Sequence, residues 1–301
     1  MSIPVTIIGG YLGAGKTTLI NQVLRQADGL RIAVLVNEFG ALSIDEDLIE
    51  AQEGDVISIA GGCVCCAFGD NLIGAIADMV AMVPAPQHIV IEASGVAIPQ
   101  AIAATLSLVA GVQLAGIVVL ADAETVEARA RDTYMGDTIL RQISGADVIL
   151  LTKPDLVEDV APVTAWLQNM SDAAAIVATA HGRCPNAVVL GVTHTAVSLP
   201  TQGLLDHSAQ YRSFSFAQTG ETDAAVFAQA LADTHLGLLR AKGFVRQPDG
   251  ALFEVQVVGV RWAVSLATAG HGLVCIGLRD RIAEGRIQDL AARHGFHPSR
   301  A

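Results

Sequence analysis

Charge is scarce in this 301-residue chain: 16% of its residues are Asp, Glu, Lys or Arg, against 52% hydrophobic. Its mean hydropathy is +0.49. An ordinary globular chain carries roughly 25% charged residues, so the deficit raises the question of a membrane span. The longest uncharged run lies between Glu92 and Asp122, and about 20 apolar residues suffice to cross a bilayer. That run contains Pro99, Gln100, Thr105, Ser107, Gly111 and Gln113, with its β-branched segment GIVVL only at the end. It reads as a helix, a turn and a buried strand. Basic charge is scarcer still: 18 Lys plus Arg against 30 Asp plus Glu give a formal charge of −12, and no basic run occurs. Nucleic acid and anionic membrane are poor partners for such a chain, because both are held through clustered cations. The N-terminal MSIPVTIIGG lacks a cationic leader, a long apolar segment and a cleavage site, so a cytoplasmic protein is expected. Five cysteines, an odd number with three crowded into CVCC, do not make a disulfide framework and point to metal or redox chemistry.

What the sequence does contain is alternation of β-branched runs with helical stretches, the pattern of a parallel sheet with crossover helices. Strands are expected at 5–9, 32–37, 55–60, 88–93, 116–121, 147–152 and 174–180, with helices over Thr17 to Ala27, Leu72 to Met82, Pro99 to Val109 and Val160 to Asn169. Several strands lack polar alternation, as strands do when helices cover both faces. The fold class is therefore α/β, a mostly parallel sheet covered on both sides. A turn-rich segment from Ser198 to Ser208 suggests a boundary, giving domains at 1–200 and 209–301. The second domain reads as a smaller α+β unit. Its strands are expected at 211–216, KGFVRQ, ALFEVQVVG, VRWAVSL and LVCIGL, and its helices at Thr222 to Leu236 and near Arg286 to His294. Phe244, Phe253 and Trp262 look exposed enough to form a docking surface, although core strands are the commoner use of such residues.

Gly10 to Thr17, GYLGAGKT, fits GxxxxGK[ST] and sits between an expected strand and an amphipathic helix. Backbone N–H groups of such a loop converge on phosphate oxygens at the positive end of the helix. Gly10, Gly13 and Gly15 permit the tight turn, Lys16 neutralises the β- and γ-phosphates, and Thr17 offers a hydroxyl to Mg²⁺. Glu92 ends the apolar strand HIVIE, where a carboxylate faces the crevice at the sheet's C-terminal edge and is expected to hold Mg²⁺ directly or through water. Gly95 lets the chain pass close to the γ-phosphate. TKPD at Thr152 to Asp155 follows another apolar strand; Asp155 is expected to accept from the guanine N1–H and exocyclic amine while the Lys153 stem lies along the base. The alternative is an ATP-using P-loop enzyme in which TKPD is a turn whose Asp caps the next helix.

Cys63, Cys65 and Cys66 of GGCVCC lie between the phosphate loop and Glu92 in sequence. Three thiolates suit Zn²⁺, Co²⁺ or Cu⁺ and leave coordination positions open, as a transferable metal requires. A structural zinc site, a thiol redox switch and ordinary buried cysteines remain alternatives. Glu38 in VNEFG follows a strand and is a candidate ligand for either Mg²⁺ or the thiol-bound metal. Cys184 and Cys275 are isolated and read as packing residues.

The ordered set GYLGAGKTTL, VNEFG, GGCVCC, IEASGVAIP and LLTKPDL resembles the CobW family of metallochaperone GTPases, within the SIMIBI class of P-loop proteins, across most of residues 4 to 156. The LRAKGFV stretch and the strands after it look like the family's C-terminal domain. The resemblance implies a GTP-hydrolysing protein that carries zinc or cobalt on Cys63, Cys65 and Cys66, delivers it to a client metalloprotein or metal-inserting complex, and couples hydrolysis to release. It further implies that Gly10, Gly13, Ala14, Gly15, Lys16, Thr17 and Thr18 bind phosphate and that Thr152, Lys153 and Asp155 read the base. Lys16, Thr17 and Glu92 would be the catalytic group, and Thr17, Glu38 and the three cysteines the metal ligands. Two positions depart from the family pattern: Thr152 stands where many members have Asn, and Ala41 where several have Glu. The family's histidine-rich stretch is absent. A homodimer is compatible with the sequence, and no residue demands one.

Overall fold

The computed structural model describes residues 2–27, 29–37, 56–61, 70–191 and 211–299. They form two compact units, Met1–Leu190 and Gly191–Ala301. The expected junction between 200 and 209 lies outside the described residues.

The first unit runs β1 (Ile3–Gly10), α1 (Lys16–Arg25), β2 (Ile32–Asn37), β3 (Val56–Gly61), α2 (Asp70–Ala81), β4 (His88–Glu92), α3 (Pro99–Leu106), β5 (Val112–Asp122), α4 (Val126–Ala130), α5 (Gly136–Ser144), β6 (Val148–Thr152), α6 (Ala161–Met170), β7 (Ala175–Thr179) and α7 (Asn186–Val189). The strands make a seven-stranded sheet in the order β3-β2-β4-β1-β5-β6-β7, and every pairing is parallel. Every residue of β4 and β6 is buried, which is why these segments read as unbroken apolar runs. Val5, Ile7, Ile89, Ile91, Ile149 and Leu151 share one core with Met79 of α2, Ile102 of α3, Ile143 of α5 and Leu167 of α6. The alternate residues, among them Ile8, Val34, Val90 and Leu150, are equally buried. Alternation sends them to the opposite face, the side left for the buried stripe Leu19, Ile20, Val23 and Leu24 of α1. Each such side chain contributes roughly 1.5–3 kcal/mol on full burial, so the apolar composition belongs to a sheet covered twice. The uncharged run after Glu92 resolves into α3, a turn and β5. No described helix is long and apolar enough to cross a membrane.

The second unit runs β8 (Tyr211–Gln218), α8 (Ala224–Leu231), β9 (Leu238–Arg246), β10 (Leu252–Val258), β11 (Arg261–Leu266), β12 (Leu273–Leu278), α9 (Glu284–Arg293) and β13 (Phe296–Pro298). Its six strands pair in the order β11-β10-β9-β12-β8-β13, antiparallel throughout. The two helices share a core with the sheet around Phe216, Phe227 and Phe296; the Phe227 and Phe296 rings stack with centroids 4.9 Å apart. The single helix expected over Thr222 to Leu236 is divided. Asp223 caps α8 by accepting from the N–H groups of Ala225 and Val226. Asp233 then accepts from His235 N–H and starts a separate 3₁₀ turn, Thr234–Leu236, which ends at Gly237 with φ 66°. Phe244 is buried and Phe253 packs against the core, so of the three aromatics considered for a docking surface only Trp262 is exposed.

Candidate functional site

Because all seven strands run the same way, their C-terminal ends share one edge, and β1 delivers the chain from Gly10 through a tight turn into α1. Gly10, Gly13 and Gly15 have φ of 129°, 77° and 98°, values that a residue with a Cβ adopts only at a cost. A Cβ on Gly10 would also lie 2.6 Å from the Leu120 carbonyl oxygen, so the loop rests directly on β5. Ala14 N–H donates to Tyr11 O at 3.1 Å and closes the turn. Gly15 is the N-cap of α1, which has no side-chain cap and no acidic residue in its first turn. The leading N–H groups of a helix need an outside acceptor, and an anion supplies one. Lys16 is buried and its Nζ donates to Gly10 O at 3.1 Å, folding the ammonium back over the loop. Thr17 is half-buried and Thr18 exposed on the first turn.

Glu92, 3% exposed, ends β4 in register with Ile8 of β1, so its carboxylate belongs to the strand beside the phosphate loop. Three residues on, a Cβ on Gly95 would lie 2.7 Å from Leu12 Cδ2 and 2.9 Å from the Leu12 backbone nitrogen. The absent side chain is what lets this segment close on the loop. Gln142 of α5 fixes the same segment from below, its Nε2 donating to Gly95 O at 3.2 Å and Ala97 O at 2.7 Å.

On the other side of β1, Thr152 ends β6 with its hydroxyl buried, within 2.9 Å of Ala14 O and 3.3 Å of Ala121 O. It fastens the phosphate loop to the sheet. Lys153 takes a left-handed conformation, φ 54°, and its Nζ pairs with the buried carboxylate of Asp122 at 2.7 Å. Asp122 also accepts from Glu124 N–H through its other oxygen, 3.0 Å. Asp155 is exposed in the short 3₁₀ turn Pro154–Leu156. It does not cap the following helix: Asp159 Oδ1 accepts from Ala161 N–H at the start of α6. The loop after β7 closes over the first turn of α1, with Gly182 at φ 67° and its Cβ position 3.1 Å from Thr18 O and Leu19 N.

Phosphate loop, Glu92 and TKPD thus stand on one sheet edge, at β1, β4 and β6. Asp122, Arg129, Gln142 and the loop at Gly182 join them without having been singled out from the sequence. Asp122 left a signal, as the charged residue that ends a long uncharged run at a strand terminus; Arg129 and Gln142 left none.

Glu38, Cys63, Cys65 and Cys66 lie outside the described residues. What is described is where their strands end: Asn37 and Gly61, the last residues of β2 and β3, are paired neighbours on the same edge. Among the described residues no group of three or more His, Cys, Asp or Glu side chains is placed to hold a metal. Cys184 and Cys275 are both buried and neither is in a disulfide, as packing residues should be, and burial alone pushes the Cys275 thiol up to about 12.

The strand order, the glycine-rich turn and the lysine on its own loop define a P-loop nucleotide-binding protein. Residues 4–178 match the CobW/HypB/UreG nucleotide-binding domain and residues 211–289 the cobalamin synthesis protein cobW C-terminal domain. The chain belongs to the CobW/HypB/UreG family and is a GTPase. It is 30% identical to a zinc chaperone CobW from Sinorhizobium sp over 92% of this chain and 93% of that one. It is 30% identical to a zinc chaperone CobW from Pseudomonas aeruginosa over 86% and 81%. The zinc-regulated GTPase metalloprotein activator 1 of Schizosaccharomyces pombe is 34% identical over 60% of this chain and 46% of its own length.

Proposed function

We propose that this GTPase is a zinc chaperone whose metal affinity is set by the nucleotide it holds. The cargo, Zn²⁺ with Co²⁺ as the alternative, is carried on Cys63, Cys65 and Cys66 with Glu38 nearby, and is passed to a client metalloprotein or metal-inserting complex as GTP is hydrolysed. The observation that carries this reading is the strand order β3-β2-β4-β1. The segments bearing Glu38 and the CVCC thiols begin at the ends of β2 and β3, on the Glu92 side of the phosphate loop and away from TKPD. In this reading contacts to a γ-phosphate act towards β2 and β3, from whose ends the segments bearing Glu38 and the thiols depart, while the base is read on the other side. Two full-length relatives named zinc chaperones support zinc as the cargo.

In this reading Gly10, Gly13, Ala14, Gly15, Lys16, Thr17 and Thr18 hold the phosphates, and Asp155 with the Lys153 stem reads guanine. The Thr17 hydroxyl and the Glu92 carboxylate are hard oxygen donors, the kind Mg²⁺ prefers; Thr17 stands on the first turn of α1 and Glu92 at the end of the strand beside β1. Bound there, Mg²⁺ would neutralise charge on the β- and γ-oxygens. Lys16 leaves the Gly10 carbonyl for the phosphate when nucleotide enters. Ordering of loops by γ-phosphate contacts is an established type of switch. Coupling is reciprocal, so metal binding changes nucleotide affinity by the same factor.

Neither the sequence motifs nor the fold names a residue that orients the attacking water, so in this reading basal turnover is slow and is raised by Zn²⁺ or by the client. Phosphate release measured with and without Zn²⁺ and Co²⁺, with ATP as competitor, tests the proposal. Fast hydrolysis indifferent to metal, or equal competition by ATP, contradicts it.

A further inference from the structure

The phosphate loop is fastened at its ends by groups already described: Lys16 Nζ on Gly10 O and Thr152 Oγ1 on Ala14 O. Its first half, Tyr11 and Leu12, is held by a different residue. Arg129 of α4 donates from Nη1 to Leu12 O at 2.8 Å, and its guanidinium lies over the Tyr11 ring, 5.5 Å from the centroid. One side chain thus binds two consecutive loop residues, one through a carbonyl and the other through a π face. Arginine suits both tasks, because its planar cation donates in a fixed fork and stacks on an aromatic ring in the same pose. From the opposite side Leu12 is met by Gly95, whose missing Cβ lets it approach the Leu12 nitrogen, and Gly95 is tied by its carbonyl to Gln142.

We propose that Arg129 is a positioning residue for GTP turnover: it clamps Tyr11 and Leu12 in the turn that presents the loop's N–H groups to the phosphates. The inference rests on reading residues 10–18 as the phosphate site. Arg129 itself touches the loop and acts through it. The Leu12 carbonyl is pulled towards α4, so the turn closed by Ala14 N–H on Tyr11 O is formed before nucleotide arrives. Displacements of about 1 Å at a reacting centre cost up to 10²-fold in rate, so a loop free to rotate its Leu12 peptide loses both affinity and turnover.

The test compares the full chain with Arg129→Ala, Arg129→Lys, Tyr11→Leu and Lys16→Ala, by steady-state GTP kinetics, GTP and GDP affinity, and thermal midpoint. Arg129→Ala is expected to lower kcat/KM about tenfold or more and to weaken GTP and GDP alike. Arg129→Lys, which keeps a donor but loses the stacked fork, is expected to recover part of that loss, and Tyr11→Leu to show a smaller one. A lowered thermal midpoint in Arg129→Ala with kcat/KM unchanged overturns the proposal. Should Arg129→Ala fail to fold, unchanged kcat/KM in both Arg129→Lys and Tyr11→Leu overturns it equally. Lys16→Ala separates the two levels. Wild-type nucleotide affinity in that variant removes the phosphate-loop reading and the clamp with it, whereas lost affinity there beside an unaffected Arg129→Ala removes the clamp alone.

Discussion

Thr152 illustrates how a residue of one motif fastens another. It stands at the head of TKPD, and its hydroxyl is buried within 2.9 Å of Ala14 O. It ties the glycine-rich loop to the strand that leads into TKPD. Thr152→Val keeps the shape and removes the donor, leaving a buried carbonyl without its side-chain partner, an omission worth about 1–3 kcal/mol. The variant is expected to melt lower and to bind GTP more weakly than Thr152→Ser, which keeps the hydroxyl. Equal melting and affinity for wild type and Thr152→Val would sink this account of the residue. The two isolated cysteines allow a chemical check. A thiol held up at about 12 stays neutral at pH 8, and the thiolate is the reactive form. Alkylation followed by peptide mass spectrometry should modify Cys275, and the equally buried Cys184, only after denaturation. Rapid labelling of Cys275 in the native protein contradicts its burial.

At the scale of elements, the long parallel strands were legible because burial on both faces removes every polar residue from them. Elements that escaped notice did so for physical reasons. Helix α4 has 5 residues and β13 has 3, too short for any period to develop. The division of the expected helix after Thr222 depends on Asp233 choosing a backbone N–H over solvent. The end of α9 yields a pH prediction. His294 stacks on Phe227 with centroids 4.8 Å apart and shares a 2.7 Å hydrogen bond between Nδ1 and Thr222 Oγ1. Burial, and secondarily the Arg293 charge, hold its pKa below the ordinary 6.5. A base whose folded pKa is depressed binds its proton better in the unfolded chain, so its contribution is intact above pH 6.5 and is lost as pH falls from there towards the folded value. Unfolding midpoints measured across that window should decline on acidification, and His294→Gln should flatten the decline. An identical pH profile in the variant would contradict the linkage.

For the molecule as a whole, the candidate site was legible wherever its parts are contiguous: the glycine-rich turn, the strand ending in Glu92, and TKPD each announce themselves within a few residues. The contacts that join those parts were not. Lys153 meets Asp122 across 31 positions, Arg129 meets Leu12 across 117 and Thr152 meets Ala14 across 138. Such pairs depend on β5 and β6 following β1 in the sheet, an order that no local pattern specifies. The same order has the larger consequence. It puts the end of β2 beside β4 and the end of β3 one strand further out, so that the thiol-bearing segment begins on the side of the phosphate loop where Glu92 stands, which is the basis of the proposed nucleotide-dependent metal affinity. The most direct measurement is a Zn²⁺ titration of the full chain without nucleotide, with GDP and with a non-hydrolysable GTP analogue, repeated with Cys63, Cys65 and Cys66 changed to Ser. A coupling of roughly 1–3 kcal/mol predicts affinities differing by about 5–150-fold between the two nucleotide states, with tight binding lost in the serine variant. Equal zinc affinity in all three states, or undiminished binding without the thiols, would contradict the account.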